Sequence, residues 1–345
     1  MIKKVLFTGD YDKDYNRTTV ISIGLESIGI NVIHFPFKKH KKNVKEELKK
    51  LSEDVDLIFL PSFTHLDVRF VKKTTNKAIL FDPLISKYLT KVFDFKQVSK
   101  YSPRAYKNYL KDKIAFNNSD IILADTEEHK KYFTSKFNIP EDKIEILRIG
   151  VDCNDFYPTE NKNDKYIVGF YGGFIPLQGV KNIVNAAKIL LSETDIVFRL
   201  IGTGFEYEII KKMIAEDNLT NIELPGWLNY KDLPAAINKF DVCLGIFGNT
   251  PKADIVIPNK VYHYAACNKP IITKNTAGIN EIFTNNENII LCSSTPEDIA
   301  NSIIETKKNI SKSAEIAKSA YKLISENYNT KSIANKFIEI AQKLV

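Results

Sequence analysis

The sequence predicts an α/β protein built of two parallel-sheet domains, and three observations carry that prediction. Short runs rich in Val, Ile and Phe alternate with longer stretches whose apolar residues recur at the helical period, which is the pattern of βα units. The alternation is completed twice, with a polar, Pro-containing break at Tyr157–Asp164 between the halves. The 345 residues also exceed what one hydrophobic core usually serves, and domains of about 150 residues are the natural division.

In the first half, strands are expected at Val5–Thr8, Asn31–Phe35, Leu57–Pro61, Ala78–Phe81, Ile121–Ala124 and Ile144–Ile146, with helices between them. The densest basic segment, Lys38-Lys39-His40-Lys41-Lys42 running into Lys45, Lys49 and Lys50, precedes Val44, Leu48, Leu51 and Val55 at helical spacing. It reads as a solvated helix face packing its apolar stripe on its own domain, with peripheral contact to a membrane surface as the alternative. In the second half, strands are expected at Tyr166–Tyr171, Ile196–Gly202, Ile222–Leu224, Val242–Ile246, Pro270–Thr273 and Ile289–Leu291. The domains are therefore placed at residues 1–158 and 159–326. From about Asn327 onward, Ile333, Phe337, Ile340 and Ala341 share one helical face, so the tail 327–345 needs a surface to cover and is expected to cross back to the first domain.

Composition bounds the function classes. With 44% hydrophobic and 26% charged residues, the chain is globular. No apolar run reaches the roughly 18 residues that cross a bilayer, and the start from Met1 to Gly9 reads as a buried strand and not as a signal sequence. A cytoplasmic protein is expected, with peripheral attachment at the inner membrane face as the variant. Cys153, Cys243, Cys267 and Cys292 follow no metal-ligand spacing and read as reduced thiols, mostly in the core. The net charge of +7 is spread along the chain, and no nucleic-acid motif accompanies it, so nucleic acid is not an expected partner.

An open parallel sheet binds ligands at the carboxyl ends of its strands, where helix N-termini favour anions. In the second half, Gly172 and Gly173 follow the first strand and lead through Gln178-Gly179 into a helix; they allow backbone to approach a phosphate, or serve a tight turn. Gly202-Thr203-Gly204 opens the next helix, without the third glycine and acidic partner of a dinucleotide fingerprint. Pro258 fixes a turn before a helix. Lys260 in its first turn, read as an exposed residue, opposes the helix dipole, an effect that a bound diphosphate converts into attraction. His263 lies one turn on. A surface lysine beside a capping turn is the plain alternative.

Taken in order, these segments resemble the family-4 retaining glycosyltransferases, part of the GT-B superfamily (glycosyl transferases group 1). Ile149-Gly150-Val151-Asp152, with Phe156 and Pro158, is similar to the interdomain signature; Gly172-Gly173 with Gln178-Gly179 to the first donor loop; and Gly202-x-Gly204 to the second. Pro225-Gly226-Trp227-Leu228 resembles the segment whose backbone reads the base, and Pro258-Asn259-Lys260 through Lys269-Pro270 the helix that grips diphosphate and ribose. The resemblance extends over nearly the whole chain. It implies a GT-B fold, two facing Rossmann-like domains with an interdomain cleft, and transfer of a hexosyl unit with retention from a nucleotide diphosphate sugar to a glycan, lipid-linked or small-molecule acceptor.

The resemblance assigns the donor to Gly172, Gly173, Gln178, Gly179, Gly202, Gly204, Trp227, Leu228, Pro258, Asn259, Lys260 and His263, with Lys252 assisting. First-domain loops hold the acceptor and steady the transferring sugar, which places Asp10, Arg17, Asp82, Ser86, Asp125 and Thr126 on that side, although Asp125 and Thr126 equally suit a helix cap. Lys260, His65 and Asp67 are the expected catalytic groups, since a strand-end His and carboxylate suit sugar hydroxyls and oxocarbenium-like charge. No cofactor and no metal are expected, because helix dipoles and lysine take the metal's role. Many relatives carry two glutamates where Ile255 and His263 stand, and a basic residue where Gln178 stands. A neutral His263 can donate or accept toward ribose hydroxyls, and Lys260 with the helix N-terminus is expected to keep it neutral. A nucleotide-sugar epimerase of the same fold and a catalytically silent glycan- or nucleotide-binding subunit are the alternative functions.

Overall fold

The computed structural model of the protein describes residues 2–39, 43–160 and 162–344. His40, Lys41, Lys42 and the side chain of Lys39, all in the basic run, lie outside the described residues. The chain divides into two units, Met1–Val151 with Asn327–Val345 and Asp152–Glu326.

The strands of the first unit are β1 (Lys4–Gly9), β2 (Asn31–Pro36), β3 (Leu57–Leu60), β4 (Ile79–Phe81), β5 (Ile121–Ala124) and β6 (Ile144–Ile146). Its first five helices are α1 (Asn16–Ser27), α2 (Val44–Glu53), α3 (Val68–Thr74), α4 (Pro103–Asn118) and α5 (Glu127–Phe137). The second unit carries β7 (Tyr166–Tyr171), β8 (Ile196–Ile201), β9 (Ile222–Gly226), β10 (Val242–Leu244), β11 (Ile271–Lys274) and β12 (Ile290–Cys292). Its helices are α6 (Val180–Ile189), α7 (Tyr207–Glu216), α8 (Leu233–Asn238), α9 (Pro251–Ile255), α10 (Asn259–Ala266), α11 (Pro296–Lys308) and α12 (Ile310–Asn327), and α13 (Thr330–Ala341) follows in the first unit. All twelve expected strands are present, each within two residues at either end.

In the first unit the sheet runs β2-β1-β3-β4-β5-β6, every pair parallel. Its inner strands are apolar at successive positions because helices cover both faces. The two-residue side-chain period then sorts the core into two layers. Leu6, Ile58, Leu60, Ile79, Phe81 and Ile122 pack with Leu48, Val71, Ala115 and Phe133. Val5, Phe7, Leu57, Phe59, Leu80 and Leu123 pack with Val20, Leu25, Ile333 and Phe337. The apolar stripe of α2 belongs to the first layer: Leu48 and Val55 are buried, and Val44 and Leu51 pack against it.

The second layer needs α13. Asn329 caps that helix by accepting from the Ser332 amide, and Ile333, Ala334, Phe337, Ile340 and Ala341 are buried beneath it. Phe337 meets Phe59 edge to face at 5.1 Å. Helix α13 lies against α1, where a Cβ on Gly24 would collide with the Thr330 carbonyl, so only glycine permits this approach. Val151 pairs with Asn329, which sets the outgoing and returning chain side by side.

In the second unit the order is β12-β11-β10-β7-β8-β9, again all parallel. The direction of winding reverses between β7 and β10, so their following loops diverge and leave a crevice at their carboxyl ends. Tyr157, Thr159 and Asn163 lie along this unit: Asn238 binds the Thr159 amide and the Tyr157 carbonyl, and Asn163 reaches the Lys239 carbonyl and Asp241. All four cysteines are free, with Cys243 and Cys267 buried and Cys153 and Cys292 half-buried. Among the described residues, no helix is long and apolar enough to cross a membrane.

Candidate active site

The crevice of the second unit is built by loops that follow β7, β8 and β10. The first two are knitted backbone to backbone: the Gly172 amide donates to the Ile201 carbonyl at 3.0 Å, the Phe174 amide to Thr203 at 2.8 Å, and the Gly202 amide to Gly226 at 2.8 Å. Gly202 and Gly204 have φ of +138° and +149°, and a side chain on Gly202 would strike the Gly172 carbonyl. Gly179 adopts a left-handed conformation against the Phe247 backbone. Gly173 differs from these. Its φ is not positive, and the nearest atom to a Cβ there would be 3.9 Å away, so neither strain nor crowding accounts for the glycine.

Helix α10 starts after Pro258 without a side-chain cap. Lys260 in its first turn folds inward and is 3% exposed, which corrects the expectation of an exposed lysine. Its ammonium donates to Gln178 Oε1 at 2.6 Å, stands 3.5 Å from the centre of the Phe170 ring, and fills the space beside Gly172, where a Cβ would come within 2.9 Å of Nζ. The missing side chain of Gly172 is what admits the lysine. Burial pushes the Lys260 pKa well down, with no nearby charge among the causes. No carboxylate among the described residues pairs with it.

His263 is 1% exposed. Its ring stacks on Phe156 at 3.9 Å, and its Nδ1 meets the Tyr171 hydroxyl at 2.5 Å. Burial alone brings its pKa down to about 3. The ring is therefore neutral as expected, with desolvation as the cause rather than the charge of Lys260. The packing leaves almost none of the ring to a ribose, because this face of α10 turns onto β7. Trp227, after β9, is 68% exposed and Leu228 half-buried; Asn259 and Pro258 are half-buried at the start of α10. Lys252 is buried on α9, whose cap is Thr250 accepting from the Ala253 amide.

The first unit corrects several expectations. Arg17 is fully buried: its Nε donates to Asp82 at 2.6 Å, and its other nitrogens donate to the carbonyls of Leu147 and Arg148. Ser86 donates to Asp112, which also accepts from the Lys87 and Tyr88 amides; burial raises the Asp112 pKa to about 6. His65 is buried with Nε2 on the Ile85 carbonyl and 3.5 Å from Asp112, and burial lowers its pKa to about 3. Thr126 caps α5, and Asp125 binds His129 Nδ1 at 2.6 Å. Arg17, His65, Asp82, Ser86, Asp125 and Thr126 thus turn inward to satisfy loop backbone and each other, as buried polar groups must. Asp10 is exposed, and half-buried Asp67 accepts from the Asp10 amide at 2.8 Å, with its pKa raised by burial.

The sequence reading missed Asp112 and the aromatic partners of His263. A trace of the former was present: Asp112 falls at the helical period of Ala105, Ala115 and Phe116, on the inward side of α4. Among the described residues, no group of three His, Cys, Asp or Glu side chains is placed to hold a metal ion.

Residues 154–323 match the family described as glycosyl transferases group 1. An uncharacterised glycosyltransferase of Methanocaldococcus jannaschii is 25% identical over 205 residues, which cover 57% of this chain and 52% of that protein. The probable glycosyltransferase WbjE of Pseudomonas aeruginosa is 25% identical over 171 residues, covering 46% and 41%. The chain spans about half the length of the curated relatives it matches. Among solved structures, Anabaena HepE in complex with UDP and glucose superposes with a TM-score of 0.76 at 14% identity, over 100% of both chains. Sucrose-phosphate synthase of Thermosynechococcus elongatus does so with a TM-score of 0.76 at 15% identity, over 99% of both. These likenesses show the fold, which is GT-B, and the match to glycosyl transferases group 1 falls within the second unit.

Proposed function

We propose that this chain, whose second unit contains the match to glycosyl transferases group 1, is a retaining glycosyltransferase that moves a hexosyl unit from a nucleotide diphosphate sugar to a glycan, lipid-linked or small-molecule acceptor. The observation that carries the reading is the buried Lys260 ammonium, set beside Gly172 without a carboxylate partner. A buried ion without a counter-charge costs several kcal/mol, and a diphosphate seated over the first loop supplies that counter-charge. Gly173, unexplained by strain or packing, is where the phosphate oxygens come close to backbone. HepE, crystallised with UDP and glucose, shows that a neighbour of this fold accepts such a ligand.

Catalysis in this reading is electrostatic. As the bond from the anomeric carbon to the diphosphate oxygen breaks, Lys260 and the amides of the two glycine loops stabilise the departing charge, and the acceptor hydroxyl adds on the same face, its proton passing to the departing diphosphate oxygen. Trp227 and Leu228 lie on the base side. On the first unit, Asp10 is left as the expected acceptor-side carboxylate and Asp67 as the expected catalytic one. The lysine and the helix N-terminus supply the positive potential, so no metal is required.

A thermal-shift screen of nucleotide diphosphates and their sugars tests the proposal, since a ligand at 100 times its Kd adds about 2.7 kcal/mol. A shift with one nucleotide, followed by nucleotide diphosphate release when donor and acceptor are combined, is expected; no shift with any member would refute it. Ile255 and His263, in place of two glutamates, favour a second reading, a silent nucleotide-binding subunit. A shift with no release from any donor would establish that instead.

A further inference from the structure

The outward face of α4 differs from an ordinary solvated helix. Tyr106, Leu110 and Ile114 recur every four residues and so lie along one side. Tyr106 is 63% and Ile114 37% exposed, with Leu110 half-buried between them. The opposite side is occupied by Ala105, Asp112, Ala115 and Phe116, all buried. At 100° per residue, Lys107 and Lys111 border the apolar stripe on one flank and Lys113 on the other.

Charge is one-sided over a longer stretch. Residues 83–119 contain eight Lys and Arg side chains and two acids, Asp94 and Asp112, both fully buried. The surface of this stretch therefore presents cations and no anion. Tyr101, just before α4, is 85% exposed, with the Lys100 ammonium 4.8 Å from its ring centre. Helix α3, which packs beside α4, adds Phe70 at 38% exposure between Arg69 and the exposed Lys73, while Lys72 pairs with Asp120 at 2.7 Å.

We propose that this face docks on an anionic lipid bilayer, with α4 lying in the plane of the headgroups. The chemistry favours that occupant over others. Tyr rings sit well at the headgroup level, Leu and Ile side chains gain by entering the acyl boundary, and Lys stems lie along apolar surface while their ammonium groups meet lipid phosphates. A soluble polyanion would use the cations and leave the Tyr106-Leu110-Ile114 stripe unburied. The inference goes beyond the proposed transfer reaction and does not depend on it, since docking needs neither donor nor acceptor.

The test is sedimentation of the full chain with vesicles of phosphatidylcholine alone or enriched in phosphatidylglycerol. Wild type is expected to sediment with the anionic vesicles, less so at high salt, and not with the neutral ones. Each basic side chain near such a surface changes partition about fivefold, so reversing two in K107E/K111E should weaken binding by more than about 25-fold. Tyr106→Ser with Ile114→Ser should weaken it by about tenfold, with the melting temperature held because both side chains are exposed. Absence of vesicle binding, equal binding to neutral vesicles, or K107E/K111E binding like wild type would each overturn the proposal. Binding to heparin without vesicle binding would overturn it in favour of a soluble polyanion.

Discussion

Replacing Lys260 with Met should move stability and activity in opposite directions. Methionine keeps an apolar stem over Phe170 and removes the charge that burial disfavours. Several kcal/mol of ion desolvation are relieved. Against this stand the Gln178 carbonyl, which loses its donor at a cost of about 1–3 kcal/mol, and a desolvated contact with the Phe170 ring of about 2 kcal/mol. A net gain of about 1 kcal/mol remains, which in a unit of this size raises Tm by about 2–4 °C. The sign with pH is fixed. The folded pKa lies below 10.5, so the unfolded chain holds the extra proton between the two values, and wild-type stability rises with pH across that window. The advantage of Lys260→Met is thus full below the folded pKa and shrinks as pH rises from there toward 10.5. Turnover should fall about 10²–10³-fold, as when one preorganised charge contact to a leaving group is removed. Melting curves and nucleotide diphosphate release on the same preparation read both. A Lys260→Met variant that melts lower and turns over near the wild-type rate would refute the reasoning.

Gly173→Ala should melt like wild type, since space and φ permit a methyl there, yet lose donor affinity by about tenfold or more in a titration; unchanged affinity would move the phosphate elsewhere. His263 has a folded pKa of about 3 against 6.5, so its contribution is full above pH 6.5 and is lost as pH falls toward 3. His263→Gln should therefore flatten the acid limb of the Tm-against-pH curve, and parallel limbs would count against it. Gly24→Ala forces α13 away from α1 and should destabilise the first unit by about 1–3 kcal/mol in urea unfolding; an unchanged midpoint would show that the helices can part freely. Activity should survive EDTA, because Lys260 and helix N-termini carry the positive potential; strict dependence on Mg²⁺ would contradict this.

The strands were readable because parallel sheets covered on both faces leave continuous apolar runs such as Leu57–Leu60 and Ile121–Ala124. The glycine loop after β8 was readable for a related reason: Gly202 and Gly204 mark backbone crowding that only glycine tolerates, and that need shows in the letters. Side-chain direction was not. Lys260 reads as a first-turn surface lysine, and its burial depends on the gap at Gly172 and the ring of Phe170, far off in the chain. Arg17 and Asp82 look like cleft-facing charges until each is seen to satisfy the other. An Asp after a strand has the same local pattern whether it meets a ligand or a loop amide, and only the tertiary partners decide.

The pairing of Val151 with Asn329 makes the second unit an insertion within the first, entered and left at adjacent backbone positions. On a ribosome, this places the order of folding at odds with the order of synthesis. Residues 152–326 emerge as one uninterrupted stretch and can close their own core, whereas the layer beneath Val5, Phe7 and Phe59 stays open until Ile333, Phe337 and Ile340 arrive. A frameshift or early stop near residue 327 would accordingly spare the second unit and expose the apolar underside of the first, so that chaperones and proteases would meet damage near the amino terminus caused by loss further along the chain.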